Sequence, residues 1–225
     1  MILFLWAIEN FKYLRDKKML SIYASNLRPQ PEVDAIVSAT ASFPERNIKK
    51  WQKIPLYGSD YVHVLHSGEI ELRRTSDDLS MFTIRKQLIL GISAMFYDSE
   101  HTYAIARTNA VICSIKKEDF IQLITEKNLW PQLTKVLSWY ICAMGKRDDI
   151  LIARSAYSVV REFLLEIHEL MVNHNRDINI YDYIQEYTNL ARSTIIKILS
   201  DLKKGHYIVV EKGKLVSLNS LPERY

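Results

Sequence analysis

Residues 189–210 read NLARSTIIKILSDLKKGHYIVV, and this stretch decides the fold of the C-terminal part of the chain. Its apolar residues recur at steps of one, three and four, which is typical of one face of an amphipathic helix. These residues are Ile195, Ile198, Leu199 and Leu202. Gly205 is the residue type with which helices often end, and the β-branched residues after it predict a strand.

The residues on either side complete a supersecondary unit. Upstream, the sequence predicts a short strand INI and a helix YDYIQEY, which the tight turn TN joins to the second helix. Downstream, it predicts strands YIVVE and LVSLN on either side of the turn KGK. Two short helices with a minimal turn, followed by a two-stranded wing, are typical of a winged helix-turn-helix.

Cations and hydroxyls crowd the first turns of the second helix. Arg192 can offer a bidentate fork to guanine, while Ser193 and Thr194 can contact base edges or phosphate. Lys197, one turn further on, can reach phosphate or guanine. The wing adds two cations, Lys212 and Lys214, which we expect to lie beside the backbone phosphates of bound DNA. A solvated helix face is the alternative, but the ordered string of elements favours double-stranded DNA as the partner.

Composition is that of an ordinary globular protein. The chain has 225 residues and a formal net charge of +4, which is compatible with a polyanionic partner without requiring one. It has two cysteines, Cys113 and Cys142, which are far apart in sequence. Their number and spacing predict a reducing cytoplasm and argue against a disulfide framework, a zinc ribbon and a cysteine-bound iron–sulfur cluster.

The N-terminal segment MILFLWAIENF is apolar but short. It lacks a preceding basic region and a small-residue cleavage site, so we expect neither a signal peptide nor a membrane span. We interpret residues 2–23 as a helix that packs on the body of the protein. The alternative is that translation starts at Met19.

The front half of the chain is rich in β structure after one short helix. The segment RPQPEVDAIV predicts a Pro-bounded helix with its apolar residues on one face. From about Trp51, YVHVLHSGEIELRR alternates and turns at Ser67-Gly68, which predicts two strands. MFTIRKQLILGI and TYAIARTNAVICSI continue in the same style, so we expect an antiparallel sandwich or roll.

After Lys116 the apolar period becomes helical. KKEDFIQLITEK predicts a short helix, Pro131 opens a long one that runs to about Ala153, and YSVVREFLLEIHELMVNH predicts a third. Apolar residues of the long helix recur at steps of four and three, the spacing by which a helix packs on the same helix of a second chain. They are Leu133, Leu137, Tyr140, Met144 and Leu151. Arg147 interrupts this series. Burial against its own domain is the alternative.

The segment RSTIIKILSDLKKGHYIVVEKGKLV resembles the recognition helix and wing of the CRP/FNR superfamily. That pattern runs Arg-x-Thr-x-x-[Arg/Lys]-x-Leu, then Leu, then an Ile-rich strand. Arg192, Thr194 and Lys197 fall on the DNA-contact positions, and Ser193 replaces the usual Glu. YVHVLHSGEIELRR is similar to the strand–Gly–strand segment of the family's cyclic-nucleotide-binding-like roll, and the helix from Pro131 is similar to its dimerisation helix. The resemblance covers about residues 50–218.

The resemblance implies an α+β chain of four parts. They are an N-terminal helical segment (1–48), a cyclic-nucleotide-binding-like β-roll (49–128), a dimerisation helix (129–154) and a C-terminal winged helix-turn-helix (155–225). It implies a homodimeric transcription regulator that binds an inverted-repeat operator, with RNA polymerase as a further partner. We expect no enzyme, no cofactor and no membrane association. Among the branches with a degenerate pocket, the chain most resembles the enterobacterial inhibitors of hydrogen-peroxide resistance.

The sequence departs from the family at the ligand pocket. Family members that bind a cyclic nucleotide use a Gly-Glu-Leu turn for the ribose and an Arg-Ser pair for the phosphate. Here Gly91 is kept, but Ile92 and Ser93 follow it, and His101-Thr102 stand in place of Arg-Ser, allowing a gap of two. An isoleucine cannot accept ribose hydrogen bonds, and a neutral histidine poorly replaces a guanidinium. We therefore predict that cyclic AMP is not the effector.

A second departure precedes the recognition helix. Ala191 replaces the usual Ser, which costs about 1 kcal/mol of capping unless Asn189 takes over that role.

The remaining histidines and cysteines suggest no catalytic or metal site. His63 and His66 are three apart on a strand, so they point to opposite faces, and we expect surface or half-buried side chains. We interpret Cys113 as an inert core thiol and Cys142 as a packing residue of the long helix. One alternative is a ligand-, haem- or redox-sensing regulator that uses the roll, with His63 or His66 as a candidate haem ligand and His101 as another. A second alternative is a protein-interaction module that does not bind DNA.

Overall fold

The computed structural model describes residues 28–97, 101–152 and 154–223. The interpretation of residues 2–23 as a helix and the alternative start at Met19 lie outside these residues. The α-helices are α1 (Gln30–Ala39), α2 (Lys117–Glu126), α3 (Trp130–Leu151), α4 (Ala156–His174), α5 (Ile180–Tyr187) and α6 (Arg192–Lys204). The strands are β1 (Glu45–Ile48), β2 (Lys53–Pro55), β3 (Tyr61–Ser67), β4 (Ile70–Arg74), β5 (Ser80–Ile84), β6 (Leu88–Leu90), β7 (Thr102–Ala106), β8 (Ala110–Lys116), β9 (Ile208–Glu211) and β10 (Lys214–Leu218).

Eight strands form a roll of two antiparallel four-stranded sheets. Their orders are β1-β8-β3-β6 and β2-β7-β4-β5. The central pair of the first sheet, β3 and β8, aligns Val62 with Ile115 and Val64 with Cys113, and all four side chains are buried. The predicted antiparallel arrangement of the front half is therefore confirmed.

The turn between β3 and β4 requires its glycine. Gly68 has φ +95°, a conformation that residues with a side chain rarely adopt. A Cβ atom at this position would lie 2.6 Å from the Cα of Ala110 and 2.6 Å from the carbonyl oxygen of Asn109. This turn therefore packs directly on the turn that precedes β8.

The described residues bury two hydrophobic clusters. The first fills the roll and extends to α1, α2 and the first half of α3, where Ile36, Phe120 and Val136 are fully enclosed. The second joins the end of α3, at Ile150, to α4, α5, α6 and the wing. Each large aliphatic side chain buried in this way contributes about 1.5–3 kcal/mol. The residue limits of the four predicted parts stay a prediction.

Helix α5 contacts the roll of its own chain. The hydroxyl of Tyr187 lies 2.5 Å from Oγ1 of Thr83 on β5. Two arginines of the roll also donate to Glu186, the residue before Tyr187. The helix-turn-helix is thus docked on the second sheet.

Among the helices that the structure describes, none combines the length and the hydropathy that a bilayer-spanning helix requires.

Candidate nucleic-acid interface

The wing is fastened to the start of α5. Asn179 caps α5, since its Oδ1 accepts a hydrogen bond from the backbone N–H of Asp182 at 3.2 Å. The same residue forms an isolated β-bridge with Lys214, where the sequence predicted a short strand. Gly213 has φ +81°, and a Cβ there would lie 2.7 Å from the Asn179 side-chain nitrogen. The two-residue turn of Lys212 and Gly213, both with positive φ, is a tight hairpin turn.

Helix α6 is held in the domain by its apolar face. Ile195, Ile198 and Leu202 are buried in the second cluster. The helix ends before Gly205, as predicted, but Gly205 has φ −77° and the left-handed residue is His206, with φ +59°.

The predicted loss of a side-chain cap before α6 is confirmed, and Asn189 does not take over that role. The N-cap is Ala191, which makes no side-chain hydrogen bond to the helix. Asn189 instead donates from Nδ2 to Oδ2 of Asp77 on the roll, at 3.4 Å. Asn189 therefore contacts the roll and leaves the first turn of α6 without a side-chain cap.

The predicted DNA-contacting residues of α6 lie together at its exposed N-terminal end. Arg192, Ser193 and Lys197 are exposed, and Thr194 is half-buried. The Arg192 guanidinium carbon lies 4.9 Å from the ring centroid of Tyr181 on α5. This cation–π contact limits the positions that the guanidinium can occupy.

The two wing lysines differ in their surroundings. Lys212 is exposed at the hairpin turn. Lys214 is also exposed, but its Nζ donates to Oδ2 of Asp177 at 2.6 Å. A phosphate would therefore have to compete with Asp177 for Lys214.

Sequence reasoning missed further residues of this surface. They line a concavity of about 480 Å³ between α5, α6 and the wing: Tyr181, Ile196, Lys203 and Lys204. The signal was available, because Ile196 and Ser200 follow Arg192 at intervals of one helical turn.

Most of the predicted pocket residues of the roll line one cavity. Gly91, Ile92, Ser93 and Thr102 border a space of about 330 Å³, between the roll and α3. Gly91 has φ +82° and precedes a short 3-10 turn that contains Ile92. His101 is exposed and does not line the cavity. The other lining residues are apolar or aromatic: Leu56, Leu72, Phe82, Ile89, Leu90, Leu137, Tyr140, Ile141 and Met144.

The proposed dimer residues of α3 pack largely on their own chain. Leu133 is 1% exposed and lies inside the first cluster, so it offers no surface to a second copy. Leu137, Tyr140 and Met144 pack against the roll, where the Tyr140 hydroxyl donates to the Ile89 carbonyl at 2.8 Å. Leu151 packs on the second cluster.

The exposed face of α3 is shifted by one residue from the predicted dimer residues. Thr134, Ser138, Ile141, Gly145 and Asp148 are exposed at alternating steps of four and three, and Ile152, which follows α3, continues the series. Ile141 is 72% exposed and Ile152 is 64% exposed.

The histidines that the structure describes are not grouped as metal ligands. His63 is buried, contrary to the expectation of a surface or half-buried side chain, and its ring nitrogens bond Ser114 Oγ (2.9 Å) and the Pro55 carbonyl (3.3 Å). Burial lowers the pKa of His63. Among the described residues, no three His, Cys, Asp or Glu side chains are grouped to hold a metal.

The two cysteines have different environments. Cys113 is buried, and burial raises the pKa of its thiol. Cys142 is exposed on α3, so the prediction that it packs does not hold within this chain.

Comparisons with known proteins agree with this architecture. The family described as "Winged helix-turn-helix DNA binding" matches residues 156–223. The Inhibitor of hydrogen peroxide resistance of Escherichia coli K12 is 30% identical over 163 residues, which are 72% of this chain and 78% of that protein.

Two solved structures share the fold of most of the chain. The c-di-GMP responsive global regulator CLP of Xanthomonas campestris matches with a TM-score of 0.62 and 15% identity, over 84% of this chain and 100% of that one. A transcriptional regulator of the crp/fnr family from Eubacterium rectale also gives 0.62 and 15%, over 84% of this chain and 90% of that one. The predicted fold class, a roll followed by a long helix and a winged helix-turn-helix, is confirmed.

Proposed function

We propose that this chain, which belongs to the family of the inhibitors of hydrogen peroxide resistance, is a transcription regulator of the CRP/FNR type. It is a homodimer that binds an inverted-repeat DNA operator. It acts by binding rather than by catalysis. The winged helix-turn-helix is its DNA-binding part. In such domains the second helix enters the major groove and reads bases with its N-terminal residues.

The exposed N-terminal end of α6 carries this proposal. Arg192 is exposed there and oriented by Tyr181, beside Ser193 and Lys197. A guanidinium in this position suits the two acceptors of a guanine edge. Lys212 adds a cation for the phosphate backbone.

Selection of bound duplexes from a random library tests this function. The wild-type protein should yield an inverted repeat, and Arg192→Ala should relax the preference at one position of each half-site by about 1–3 kcal/mol. An unchanged preference would contradict direct base readout by Arg192. A wild-type protein that enriches no sequence would favour the protein-interaction module instead.

The outward face of α3 supports the homodimer. Two exposed isoleucines, Ile141 and Ile152, stand eleven residues apart on one side of this region. A face of this period can pack on its equivalent in a second copy. Pairing of two copies would set the recognition helices about 34 Å apart, one turn of DNA. Leu137, Tyr140, Met144 and Leu151 flank this face and remain proposed interface residues.

Light scattering and DNA binding test the dimer together. Ile141→Glu places a charge in the proposed contact and should give a monomer that has lost its preference for an inverted repeat over a single half-site. The same substitution at exposed Val172, on α4, should leave the dimer intact.

The cavity of the roll supports a second function, the sensing of a small apolar molecule. Its lining is mainly aliphatic and aromatic, and Ile92 occupies the position where a cyclic-nucleotide pocket needs a carboxylate. Calorimetry with cyclic AMP should show no binding. A micromolar affinity would overturn the proposal that this pocket is degenerate.

A further inference from the structure

Helix α6 presents a large aliphatic side chain among its outward polar residues. Ile196 is 50% exposed, while Ile195 and Ile198 are buried. It lies four residues after Arg192, so it shares that side of the helix. The burial of Ile195 and Ile198 already secures the helix, and the domain leaves half of Ile196 uncovered.

The surroundings of Ile196 indicate what could cover it. It borders the 480 Å³ concavity, whose lining includes apolar side chains of the domain (Ile180, Leu199 and Val210). Lys203 and Lys204 border the same concavity, and their charges suit a polyanionic partner. An aliphatic side chain has no hydrogen bond to offer to a phosphate or to a polar base edge. If it packed against a polar base edge, the donors and acceptors of that base would lose their hydrogen bonds to water, which costs binding free energy.

One base edge avoids this cost. In the major groove, thymine carries a 5-methyl group, and apolar side chains contact it in protein–DNA complexes. We propose that Ile196 is a specificity-determining residue that packs on the methyl group of a thymine in each half-site, beside the base that Arg192 contacts. This inference rests on the proposed DNA-binding function. It adds selection of thymine over cytosine, whose edge lacks the methyl group.

Uracil substitution in the selected operator tests the contact. Uracil keeps every hydrogen bond of the thymine–adenine pair and removes the methyl group alone. Replacing the thymines one at a time should identify a position in each half-site at which uracil weakens wild-type binding about fourfold, the value of one buried methyl-sized group. The Ile196→Ala protein should bind the thymine and uracil duplexes equally.

A matched variant controls for the loss of an exposed aliphatic side chain. Val172 is exposed on α4, so Val172→Ala should keep the full uracil effect. Ile196→Ser is a second variant at the same position, and it should also bind the thymine and uracil duplexes equally.

The outcomes separate this inference from the function on which it rests. If no operator can be selected, the proposed function fails. If an operator is selected but no uracil position weakens wild-type binding, the role of Ile196 is refuted while DNA binding stands. A uracil effect that persists undiminished in the two Ile196 variants would also refute it.

Discussion

Arg73 donates from Nη2 to Oε1 of Glu186 across 2.7 Å, which ties β4 of the roll to α5 of the winged domain. Arg107 reaches the same oxygen from Nη1 at 2.6 Å. Beneath them, the fully buried Glu71 accepts from both arginines, at 3.3 and 3.0 Å. This cluster holds the first helix of the helix-turn-helix against the roll of its own chain. It therefore contributes to the placement of the recognition helix, which follows after a short turn.

A double-mutant cycle should measure the strength of this contact. Burial, followed by repulsion from Glu71, raises the pKa of Glu186. Neutralising Glu186 alone thus relieves a desolvation cost while it also removes two ionic hydrogen bonds, so the two effects oppose each other. A cycle of Arg73→Gln and Glu186→Gln isolates the attraction, and we expect a coupling of about 1–2 kcal/mol in the free energy of urea unfolding.

The same arginine provides the control for this cycle. Arg73 also donates from Nη1 to the exposed Asp78 at 3.0 Å, within the roll. Because solvent screens exposed pairs, the cycle of Arg73→Gln and Asp78→Asn should give less than about 1 kcal/mol. Equal couplings in the two cycles would argue against a distinct contribution from the contact between domains.

Glu166 predicts a pH dependence of stability. This carboxyl of α4 is buried and accepts from the Tyr183 hydroxyl at 3.1 Å. Burial raises its pKa from an ordinary 4.5 to about 7. Between these two pH values Glu166 is ionised in the unfolded chain and protonated in the folded chain. The free energy of unfolding therefore falls as the pH rises through this window. The loss amounts to roughly 3 kcal/mol, and above the window it stays constant.

Glu166→Gln should remove this dependence. The free energy of urea unfolding should be measured for both proteins at a series of pH values. The variant should be closest to the wild-type protein near pH 4.5, and at a pH above about 7 it should be more stable than the wild-type protein. Glu118→Gln, at an exposed position on α2, should follow the wild-type curve. A stability difference between Glu166→Gln and wild type that does not vary with pH would contradict the raised pKa.

The winged domain could be predicted because its signals are local. The apolar spacing of α6 and the Lys212-Gly213 turn each act within a few residues, and the sequence displays them directly. The contact of Arg73 with Glu186 joins residues 113 positions apart, and isolated charges carry no period that could reveal it. Asn189 shows the same limit, since its contact with Asp77 prevails over a role in capping α6.

Helix α3 shows a different limit. Residues at steps of four and three form two neighbouring stripes on this helix, one that begins at Leu133 and one that begins at Thr134. The sequence favours the first stripe for the dimer contact because its residues are more apolar. The roll covers much of the first stripe because the chain's own sheets also need an apolar cover. The spacing of apolar residues therefore identifies a helix and its apolar faces. It does not show which of these faces packs on the helix's own chain and which packs on a second chain.

The wing lysines should differ in their effect on DNA binding. Lys212→Ala should weaken binding to all sequences alike and lower the salt dependence, the slope of log K against log salt, by about one per subunit. Lys214→Ala should have a smaller effect, because Asp177 already holds Lys214. Asp177→Asn should release Lys214 and tighten binding. Titrations at several salt concentrations measure all three, and a larger loss for Lys214→Ala than for Lys212→Ala would contradict this ranking.

Tyr181 should support the readout by Arg192 through its contact with the guanidinium. The aromatic ring lies 4.9 Å from the guanidinium carbon, and an exposed contact of this kind contributes about 0.5–1 kcal/mol. Tyr181→Leu should therefore lower the preference for the selected operator over random DNA two- to fivefold, because the guanidinium loses its fixed position. Tyr181→Phe keeps the ring and should keep the preference. In an Arg192→Ala background, Tyr181→Leu should have no further effect on the preference, and an additive loss in the double variant would show that Tyr181 acts independently of Arg192.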